Sequence, residues 1–280
     1  MRILVTGATG QLGAQVLAAC DGHEVLAPRR AELDLTEPDQ VEQVVAASAP
    51  ETILNAAALT DVDGCERDPE QAMAVNARGV RSLAVAAARV GAHVVHVSTD
   101  YVFDGRSGQP YDEWAPTRPL SEYGRSKLAG EQELAAHCPS WTTVRTSRVY
   151  GGRGALVSWA IAAHDRGELT GLLADQVSIP TYGPDLAQLL VRLGVERRQG
   201  LFHATSGAEA VTRHEWITSA LRLRGVDPSD VAPLDAADLD RPAARPASSA
   251  LANRALRLSH LPLLRPWRAA LADYVPTWDD

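Results

Sequence analysis

The chain has 280 residues, a formal net charge of −8 and a hydrophobic fraction of 45%. This length accommodates one large α/β domain or a large domain with a smaller lobe, and the composition is ordinary for a globular protein. No apolar run approaches the ~20 residues that a membrane-spanning helix requires, and the acidic balance disfavours nucleic acid as a partner.

Short apolar segments alternate with helical stretches through the first half of the chain. We predict strands at residues 2–6, 23–27, 52–56, 93–98 and 142–147, and helices at residues 11–20, 69–90 and 120–137. This alternation predicts a Rossmann-like, doubly wound parallel sheet with right-handed crossovers.

The second half of the chain is less regular. Beyond Gly151 the alternation is lost, and residues 231–249 are rich in proline, alanine and aspartate, which is typical of surface loops. We expect residues 1–150 to form the sheet domain and residues 151–280 to form a smaller lobe over its carboxyl edge. Ligands of open α/β sheets bind at that edge, so the lobe is expected to bind substrate.

The N-terminus and the cysteines indicate the compartment. The chain turns polar and glycine-rich by Gly7, too early for the apolar core of a signal peptide. Cys20, Cys65 and Cys138 lie in no metal-binding or redox spacing. We therefore expect a cytoplasmic protein with reduced thiols and no metal ion.

A glycine motif joins the first strand to the first helix. Gly7 permits a tight turn, Gly10 lets the backbone approach a phosphate, and Gly13 lets the helix pack on the strand. Such a helix N-terminus stabilises a pyrophosphate, so the motif predicts a dinucleotide-binding domain; a turn without a ligand is the alternative. The predicted cofactor-binding residues of this turn are Gly7, Thr9, Gly10, Gln11 and Leu12.

The end of the second strand bears on the choice of cofactor. A free ribose 2′-hydroxyl is usually bound by a carboxylate here, whereas a 2′-phosphate favours arginine. Arg29 and Arg30 follow the strand with no acid at its tip, so we predict NADPH. Glu32 and Asp34 follow closely enough to keep NADH as an alternative, and two solvated surface arginines are the remaining interpretation.

A tyrosine and a lysine carry the predicted chemistry. Tyr123 and Lys127 stand four residues apart on the predicted helix, so both side chains point to one face. The fourth strand ends near Ser98 and Thr99, either of which could hydrogen-bond a ketone. Tyr123 would then donate the proton while a nicotinamide delivers hydride, and Lys127 would lower the pKa of Tyr123 and bind the nicotinamide ribose. A Tyr-x-x-x-Lys pair by itself also occurs on amphipathic surface helices.

With these motifs the chain resembles the extended short-chain dehydrogenase/reductases and, within them, the dTDP-4-dehydrorhamnose reductase family. The resemblance covers nearly the whole chain. Its most specific part is the Ser-Thr-Asp-Tyr-Val-Phe-Asp-Gly block at residues 98–105, followed by Tyr-Gly-Arg-Ser-Lys-Leu at residues 123–128. The other matching segments are residues 6–13, 33–36, 55–63, 75–76, 145–147, 175–176, 180–181 and 245–246.

The resemblance implies a reaction and a set of site residues. It implies an NAD(P)H-dependent oxidoreductase of dTDP-rhamnose biosynthesis that reduces the 4-keto group of a nucleotide-linked deoxysugar. Thr99, Tyr123 and Lys127 would be its catalytic residues. It also implies that residues from about 178 to 206 return to the cofactor domain. Adenine would lie against Asp34 and Leu35, and the ribose and pyrophosphate would lie against Ala56, Ala57 and Ala58.

Three departures from the family pattern lie on the substrate side. A tryptophan usual in the family is Arg148 here, Asn-Phe is replaced by Gly154-Ala155, and Ser178-Ile179 stands before Pro-Thr. An apolar stacking surface has thereby become a planar cation suited to carboxylate or phosphate. The identity of the ketone is therefore left open. The predicted substrate-binding residues are Asp100, Tyr101 and Arg148.

Several other side chains have two interpretations each. Trp114 and Trp159 could supply the missing stacking face, although burial in the lobe is the more ordinary fate of tryptophan. Arg241 and Arg245 could bind a substrate diphosphate or be solvated. His203 fits a hydrogen-bonded core or cleft histidine better than a general base.

Three hypotheses for function follow. The first is an NADPH-dependent 4-keto-sugar reductase. The second keeps this chemistry for another keto substrate of a secondary pathway, or is a sugar-nucleotide epimerase. The third is a cofactor-binding regulatory subunit without catalysis, against which the intact Thr99, Tyr123 and Lys127 argue. We expect a small keto substrate as the partner, no nucleic acid, no membrane, and a monomer or homodimer.

Overall fold

The computed structural model describes residues 1–152, 155–207 and 209–275 of the chain. The strands of these residues are β1 (Arg2–Thr6), β2 (Glu24–Leu26), β3 (Thr52–Asn55), β4 (His93–Thr99), β5 (Trp141–Thr146), β6 (Val149–Tyr150), β7 (Gly171–Leu173), β8 (Val177–Ser178), β9 (Thr181–Tyr182), β10 (Gly200–His203), β11 (Val211–Thr212) and β12 (Ala232–Leu234). The α-helices are α1 (Gln11–Ala19), α2 (Pro38–Ser48), α3 (Val62–Arg67), α4 (Pro69–Met73), α5 (Gly79–Val90), α6 (Glu122–His137), α7 (Leu156–Asp165), α8 (Gly183–Val195), α9 (Arg213–Leu223), α10 (Arg254–Leu258) and α11 (Trp267–Tyr274).

A six-stranded sheet forms the centre of the molecule. Its order is β10-β5-β4-β3-β1-β2, and every neighbouring pair is parallel. The strand order changes direction at β1, which has β2 on one side and β3 on the other. A crevice opens at such a switch point outside the carboxyl ends of the strands. The predicted Rossmann-like sheet is confirmed.

Both faces of the sheet are covered by helices. Successive side chains of β1 point to opposite faces. Ile3 and Val5 pack with residues of α1 and α8 on one face, whereas Leu4 packs with residues of α2, α5 and α6 on the other. Central strands buried on two sides are apolar without alternation, which explains why they are easily recognised in the sequence.

The helix predicted for residues 69–90 is interrupted. It consists of α4, a π-helical turn at Ala74–Arg78, and α5. The turn places the Asn76 side chain between two segments. Its Oδ1 accepts from the Leu59 N–H at 2.9 Å, and its Nδ2 donates to Ser126 Oγ at 3.0 Å. Asn76 therefore joins the loop after β3 to α6, the helix that carries Tyr123 and Lys127.

Two helices of the sheet domain, α2 and α3, were not predicted. Helix α2 has proline at its first position, and Val41 and Val45 are buried one turn apart on its inner face. This spacing is a helical signal that was available in the sequence. Helix α3 is short, and its cap depends on the Asp61 side chain, which accepts from the Gly64 N–H.

The second half of the chain builds a separate hydrophobic core and also contributes to the sheet. Trp216 and Trp267 are fully buried in that core, whereas Trp114 and Trp159 are 63% and 52% exposed. The predicted burial of Trp114 and Trp159 is therefore wrong. Trp159 lies on the outer face of α7, and Arg254 stacks over the Trp114 ring at 5.5 Å.

After the first part of the lobe the chain returns to the sheet, where β10 pairs with β5.

No helix in the described part of the chain is long and apolar enough to cross a membrane. The three cysteines are buried and unpaired. The described residues also contain no group of histidine, cysteine and acidic side chains that could hold a metal ion.

We predict that Gly130→Ala destabilises the protein, although alanine is the better helix former. A Cβ atom at Gly130 would lie 2.1 Å from the Asn76 carbonyl oxygen, so α6 would have to move away from the π-helical turn. The free energy of unfolding, measured by urea denaturation, should fall by about 1–3 kcal/mol. Ala135→Gly on the exposed face of the same helix is the control, and should cost no more than ~1 kcal/mol. Wild-type stability of Gly130→Ala would show that this close packing is absent.

Candidate active site

The turn between β1 and α1 is shaped for the close approach of an anion. Gly7 adopts φ = 72°, and a Cβ atom there would lie 2.6 Å from the Ala57 nitrogen. A Cβ atom at Gly13 would lie 2.0 Å from the Gly7 carbonyl oxygen, so α1 packs directly on the turn. No side chain caps α1, and its first turn has no acidic residue. The N–H groups and the positive end of the helix dipole are therefore available to a ligand.

A cleft runs along the carboxyl edge of the sheet from this turn to the lobe. It has two adjoining parts, of about 240 and 450 Å³, and Gly10, Ala56 and Ala58 line both. The predicted residues that line only the smaller part are Gly7, Thr9, Arg30, Asp34, Leu35 and Ala57. Those that line only the larger part are Gln11, Leu12, Thr99, Asp100, Tyr101, Tyr123, Lys127 and Arg148.

Arg30 and Asp34 form an ion pair at the outer end of the cleft. Arg30 Nε lies 2.9 Å from Asp34 Oδ2, and the Arg30 side chain is 74% exposed. A hydrogen bond from the Thr36 N–H lowers the pKa of Asp34, and Arg30 lowers it further. Arg29 is not among the described residues that line the cleft; its N–H donates to Glu32 Oε2 at 2.8 Å. The structure thus brings Arg30, but not Arg29, to the predicted cofactor site.

The ends of β3 and β4 determine which nitrogen of His96 carries the proton. Asn55 Oδ1 accepts from Thr6 Oγ1 at 2.6 Å and from the Ala57 N–H at 3.1 Å. The other end of this amide, Nδ2, therefore faces His96 Nδ1 at 3.0 Å and donates to it. Since Nδ1 is an acceptor, the neutral imidazole carries its proton on Nε2.

The Lys127 amine lies in a strongly desolvated position. Lys127 is 2% exposed, its Nζ donates to the Val97 carbonyl oxygen at 2.8 Å, and Nζ lies 3.3 Å from His96 Nε2. A neutral amine can accept from the Nε2–H group, whereas an ammonium has no lone pair to do so. Burial lowers the pKa of Lys127 to about 8, although the Glu131 carboxylate acts in the opposite direction. The amine therefore titrates close to neutral pH.

The hydroxyl of Thr99 lies at the centre of the cleft. It donates to Asp100 Oδ1 at 3.1 Å and accepts from the Tyr101 N–H at 3.2 Å. Thr99 also lowers the pKa of the nearby Tyr123 hydroxyl. Asp100 also accepts from Ser249 Oγ, which belongs to the C-terminal part of the chain. The two predicted catalytic residues Thr99 and Tyr123 thus line the same part of the cleft.

The protonation of Tyr123 differs from the prediction. Burial raises the pKa of Tyr123, and the Asp100 carboxylate raises it further, while Thr99 opposes them. The expectation that Lys127 lowers this pKa is wrong for the protein alone, because Lys127 points to Val97 and His96. The phenol is therefore protonated at neutral pH in the protein alone.

Arg148 is held rigidly at the lobe end of the cleft. Its backbone adopts φ = 43°, and its guanidinium donates to the carbonyl oxygens of Gln176 at 2.9 Å and Val211 at 3.2 Å. Burial lowers the pKa of Arg148 to about 10, so the group is still a cation at neutral pH. Of the other two departures from the family pattern, Ile179 is buried and Gly154 lies outside the described residues.

A buried ion pair lies behind the cleft. Arg145 donates to Glu131 through Nε at 2.9 Å and Nη2 at 2.7 Å. Glu131 also accepts a hydrogen bond from Ser98 Oγ. The Ser98 hydroxyl therefore points to the ion pair, whereas the Thr99 hydroxyl lies beside Asp100. His203 Nε2 lies 3.4 Å from Arg145 Nη1, and its Nδ1 donates to a backbone carbonyl. These contacts support the interpretation of His203 as a satisfied core histidine.

Four polar residues that shape the site were not predicted from the sequence: Asn55, His96, Glu131 and Ser249. Glu131 lies one turn after Lys127 on the same face of α6, a spacing that could have indicated it. Asn55 and His96 are paired in the register of β3 and β4, which only a topology reveals. Ser249 reaches Asp100 from 149 residues away, and no local signal marks it.

We predict that Lys127→Met stabilises the protein in the absence of cofactor. Lys127 has a pKa of about 8 when folded and an ordinary value of 10.5, so the unfolded chain binds more protons between these pH values. The contribution of Lys127 to the free energy of unfolding therefore rises with pH in this window. The advantage of methionine should be on the order of 3 kcal/mol at pH 7 and should vanish above pH 10.5.

Urea denaturation of wild type and Lys127→Met between pH 7 and 10.5 measures the difference in their free energies of unfolding. The other titrating groups contribute equally to both proteins and cancel in this difference.

Lys127 is also the only lysine in the sequence. Nitrogen NMR of lysine-labelled protein therefore reports its pKa directly, from a single Nζ signal. An NMR pKa near 10.5 would contradict the desolvated position of the amine.

Comparison with known proteins covers nearly the whole chain. The family model described as RmlD substrate binding domain matches residues 1–279. A dTDP-4-dehydrorhamnose reductase of Mycobacterium tuberculosis (strain CDC 1551 / Oshkosh) is 40% identical, over 97% of this chain and 91% of that protein. A Streptomyces antibioticus protein named probable dTDP-4,6-dihydroxy-2-methyloxan-3-one 4-ketoreductase is 38% identical, over 99% of this chain and 95% of that protein.

The solved structures agree with the sequences. The crystal structure of dTDP-4-dehydrorhamnose reductase from Bacillus anthracis in complex with NADP has a TM-score of 0.94 to this chain at 33% identity, with 98% of each chain covered. Sequence and fold match over the same length, as the resemblance to extended short-chain dehydrogenase/reductases predicted. The chain belongs to the family of the RmlD substrate binding domain.

Proposed function

We propose that the protein is an NADPH-dependent oxidoreductase that reduces the 4-keto group of a nucleotide-linked deoxysugar. The observation that carries this proposal is that Thr99, Tyr123 and Lys127 line one cleft together with the glycine turn. The relatives named dTDP-4-dehydrorhamnose reductase, at 40% and 39% identity over nearly the full length, support the class of substrate.

The residues of the cleft fit a dinucleotide. The uncapped N-terminus of α1 suits a pyrophosphate, and a side chain at Gly7 would block its approach. Leu35 and Asp34 would hold the adenine end, and Lys127 the nicotinamide ribose. NADPH supplies the hydride for reduction of a ketone. The NADP in the B. anthracis structure supports the choice of cofactor.

The protein groups handle the proton. In the protein alone, Thr99 donates to Asp100, and Tyr123 lines the same cavity as Thr99. A ketone oxygen entering between these hydroxyls would accept a hydrogen bond from each, and Tyr123 would transfer its proton as negative charge develops on that oxygen. Lys127, one helical turn away, would stabilise the phenolate that is left, and its amine can titrate near neutral pH.

A second candidate is the same reduction on a different keto sugar. The S. antibioticus relative is named as a ketoreductase of another dTDP-linked sugar and is almost as similar as the rhamnose enzymes. Arg148 places a fixed cation at the substrate end of the cleft, where the family usually has tryptophan. Comparing the rates of NADPH oxidation with several dTDP-linked 4-keto sugars decides between the two. The complete set of Thr99, Tyr123 and Lys127 argues against a regulatory subunit without activity.

We predict that Tyr123→Phe lowers kcat for NADPH oxidation at least a hundredfold with a dTDP-4-keto-6-deoxysugar. The variant loses the proton donor, a contribution of ~10²–10⁴. Its affinity for NADPH should stay near that of wild type. Tyr111→Phe is the matched control, because the Tyr111 hydroxyl bonds Asp104 outside the cleft. Equal kcat values for wild type and Tyr123→Phe would refute the proposed chemistry.

We predict that Arg30→Ala shifts the enzyme from NADPH toward NADH. The variant loses the cation expected to bind the 2′-phosphate and frees the Asp34 carboxylate for a ribose 2′-hydroxyl. The KM for NADPH should rise about tenfold, the cost of one charge-assisted hydrogen bond, and the KM for NADH should not rise. Arg29→Ala is the control, since Arg29 lies outside the cleft. An unchanged KM ratio in Arg30→Ala would overturn this cofactor assignment.

A further inference from the structure

His96 is not among the described residues that line the cleft, but it contacts one that is. Its Nε2 lies 3.3 Å from the Lys127 amine. Lys127 lines the larger cavity together with Thr99 and Tyr123. His96 itself is fully buried on β4. Its influence on a ligand in the cleft must therefore pass through Lys127.

The direction of this contact is determined by a backbone group. The Ala57 N–H is fixed in the loop after β3, and it donates to Asn55 Oδ1 at 3.1 Å. Thr6 Oγ1 donates to the same oxygen at 2.6 Å. Asn55 Nδ2 therefore donates to His96 Nδ1, and the proton of the neutral ring lies on Nε2, which faces Lys127. Reversal of the Asn55 amide would leave the Ala57 N–H without its acceptor.

The imidazole of His96 is neutral in this position. Burial lowers the pKa of His96 well below its ordinary value, and the charge of Lys127 lowers it further. A neutral ring with its proton on Nε2 can only donate toward Lys127. This N–H meets the lone pair of a neutral amine, whereas an ammonium would oppose it with an N–H of its own. The geometry therefore favours the neutral amine over the ammonium.

The other groups around the amine act differently. The Val97 carbonyl oxygen accepts from Nζ in either charge state. Glu131, one turn later on α6, favours the ammonium, but its carboxylate is bound by Arg145 of β5. Tyr123, one turn earlier, is protonated at neutral pH. The groups whose charges act on that phenol are Asp100, Tyr101 and Cys65. Among the described residues, only His96 directs a hydrogen-bond donor at Nζ.

We propose that His96 is a positioning residue for the proposed reduction, which holds the Lys127 nitrogen by directing its Nε2–H group at it and so favours the neutral amine. The inference rests on the proposed function, in which the Lys127 ammonium stabilises the phenolate left by Tyr123. His96 then determines the pH above which this ammonium is lost. An apolar ring at the same place would bury the amine equally and offer no donor, so the effect belongs to the imidazole nitrogen.

Nitrogen NMR of histidine-labelled wild type tests the direction of the contact without any substitution. The two ring nitrogens of a neutral imidazole have different chemical shifts, so the spectrum shows which of them carries the proton. We expect the proton of His96 on Nε2. Among the eight histidines, the His96 signals are those that move as Lys127 titrates. A proton on Nδ1 would make Nε2 an acceptor for the ammonium and would overturn the proposal.

His96→Phe tests the effect on the amine. The phenylalanine ring fills the space of the imidazole and keeps Lys127 desolvated, but it has no N–H group. The pKa of Lys127, read from the single lysine Nζ signal, should rise from about 8 to about 9, because one hydrogen bond to the neutral amine is lost. His93→Phe is the matched control, since His93 is buried on the same strand and bonds Ser140 and Thr142 instead. An unchanged Lys127 pKa in folded His96→Phe would contradict the proposal.

The pH dependence of kcat/KM for NADPH, at a fixed concentration of a dTDP-4-keto-6-deoxysugar, connects the amine to the reaction. This parameter reports the groups of the enzyme before NADPH binds, so its decline at high pH should follow the pKa of Lys127. The midpoint of the decline should lie at about pH 8 in wild type and His93→Phe, and about one pH unit higher in His96→Phe. A merely structural role of His96 would lower kcat/KM without moving this midpoint, and that result would overturn the positioning role.

The outcomes separate this inference from the proposed function. If both NMR results are as expected but wild type oxidises NADPH with no keto sugar, the effect of His96 on Lys127 is upheld and the proposed reduction is refuted. If wild type is active but His96→Phe leaves the Lys127 pKa unchanged, the reduction stands and the role of His96 is refuted. If His96→Phe does not fold, the position of the ring proton in wild type decides.

Discussion

The hydrogen bond from Lys127 Nζ to the Val97 carbonyl oxygen, 2.8 Å long, ties helix α6 to strand β4 at the base of the cleft. It holds the amine beside His96, whose protonation is set in turn by Asn55 at the end of β3. Helix α6, strand β4 and strand β3 are thus linked by one chain of hydrogen bonds through Lys127, His96 and Asn55. The position of Tyr123 in the cleft depends on this anchoring, since it lies one turn earlier on the same helix.

The choice of lysine at this anchor is informative. The sequence has 27 lysines and arginines, of which Lys127 is the only lysine. Arginine serves every other cationic position, including the buried pair with Glu131 and the pair with Asp63. A guanidinium does not lose its proton in proteins, whereas a buried amine changes its charge readily. An amine at this position can both donate a hydrogen bond and change its protonation state, which a guanidinium cannot do.

The buried ion pair behind the cleft is satisfied, whereas the helix N-terminus at the cleft is not. Behind the cleft, Glu131 is fully engaged by Arg145 and Ser98. At the cleft the situation is different, because no side chain caps the N-terminus of α1. This uncapped N-terminus lowers the stability of the protein alone and favours an anion. A dinucleotide with its pyrophosphate at this helix N-terminus would stabilise the fold.

The sequence alone determined the features that are encoded locally. The alternation of apolar segments predicted the parallel sheet, the glycine spacing predicted the turn, and the four-residue spacing placed Tyr123 and Lys127 on one face. Nearly all of the predicted site residues line the cleft for this reason. Only the tertiary structure decided the raised pKa of Tyr123, the exposure of Trp159, and which carboxylates pair with Arg145 and Arg245. Burial and ion pairing depend on segments as distant as Asp63 and Arg245, 182 residues apart, and no local pattern in the chain records which of them will meet.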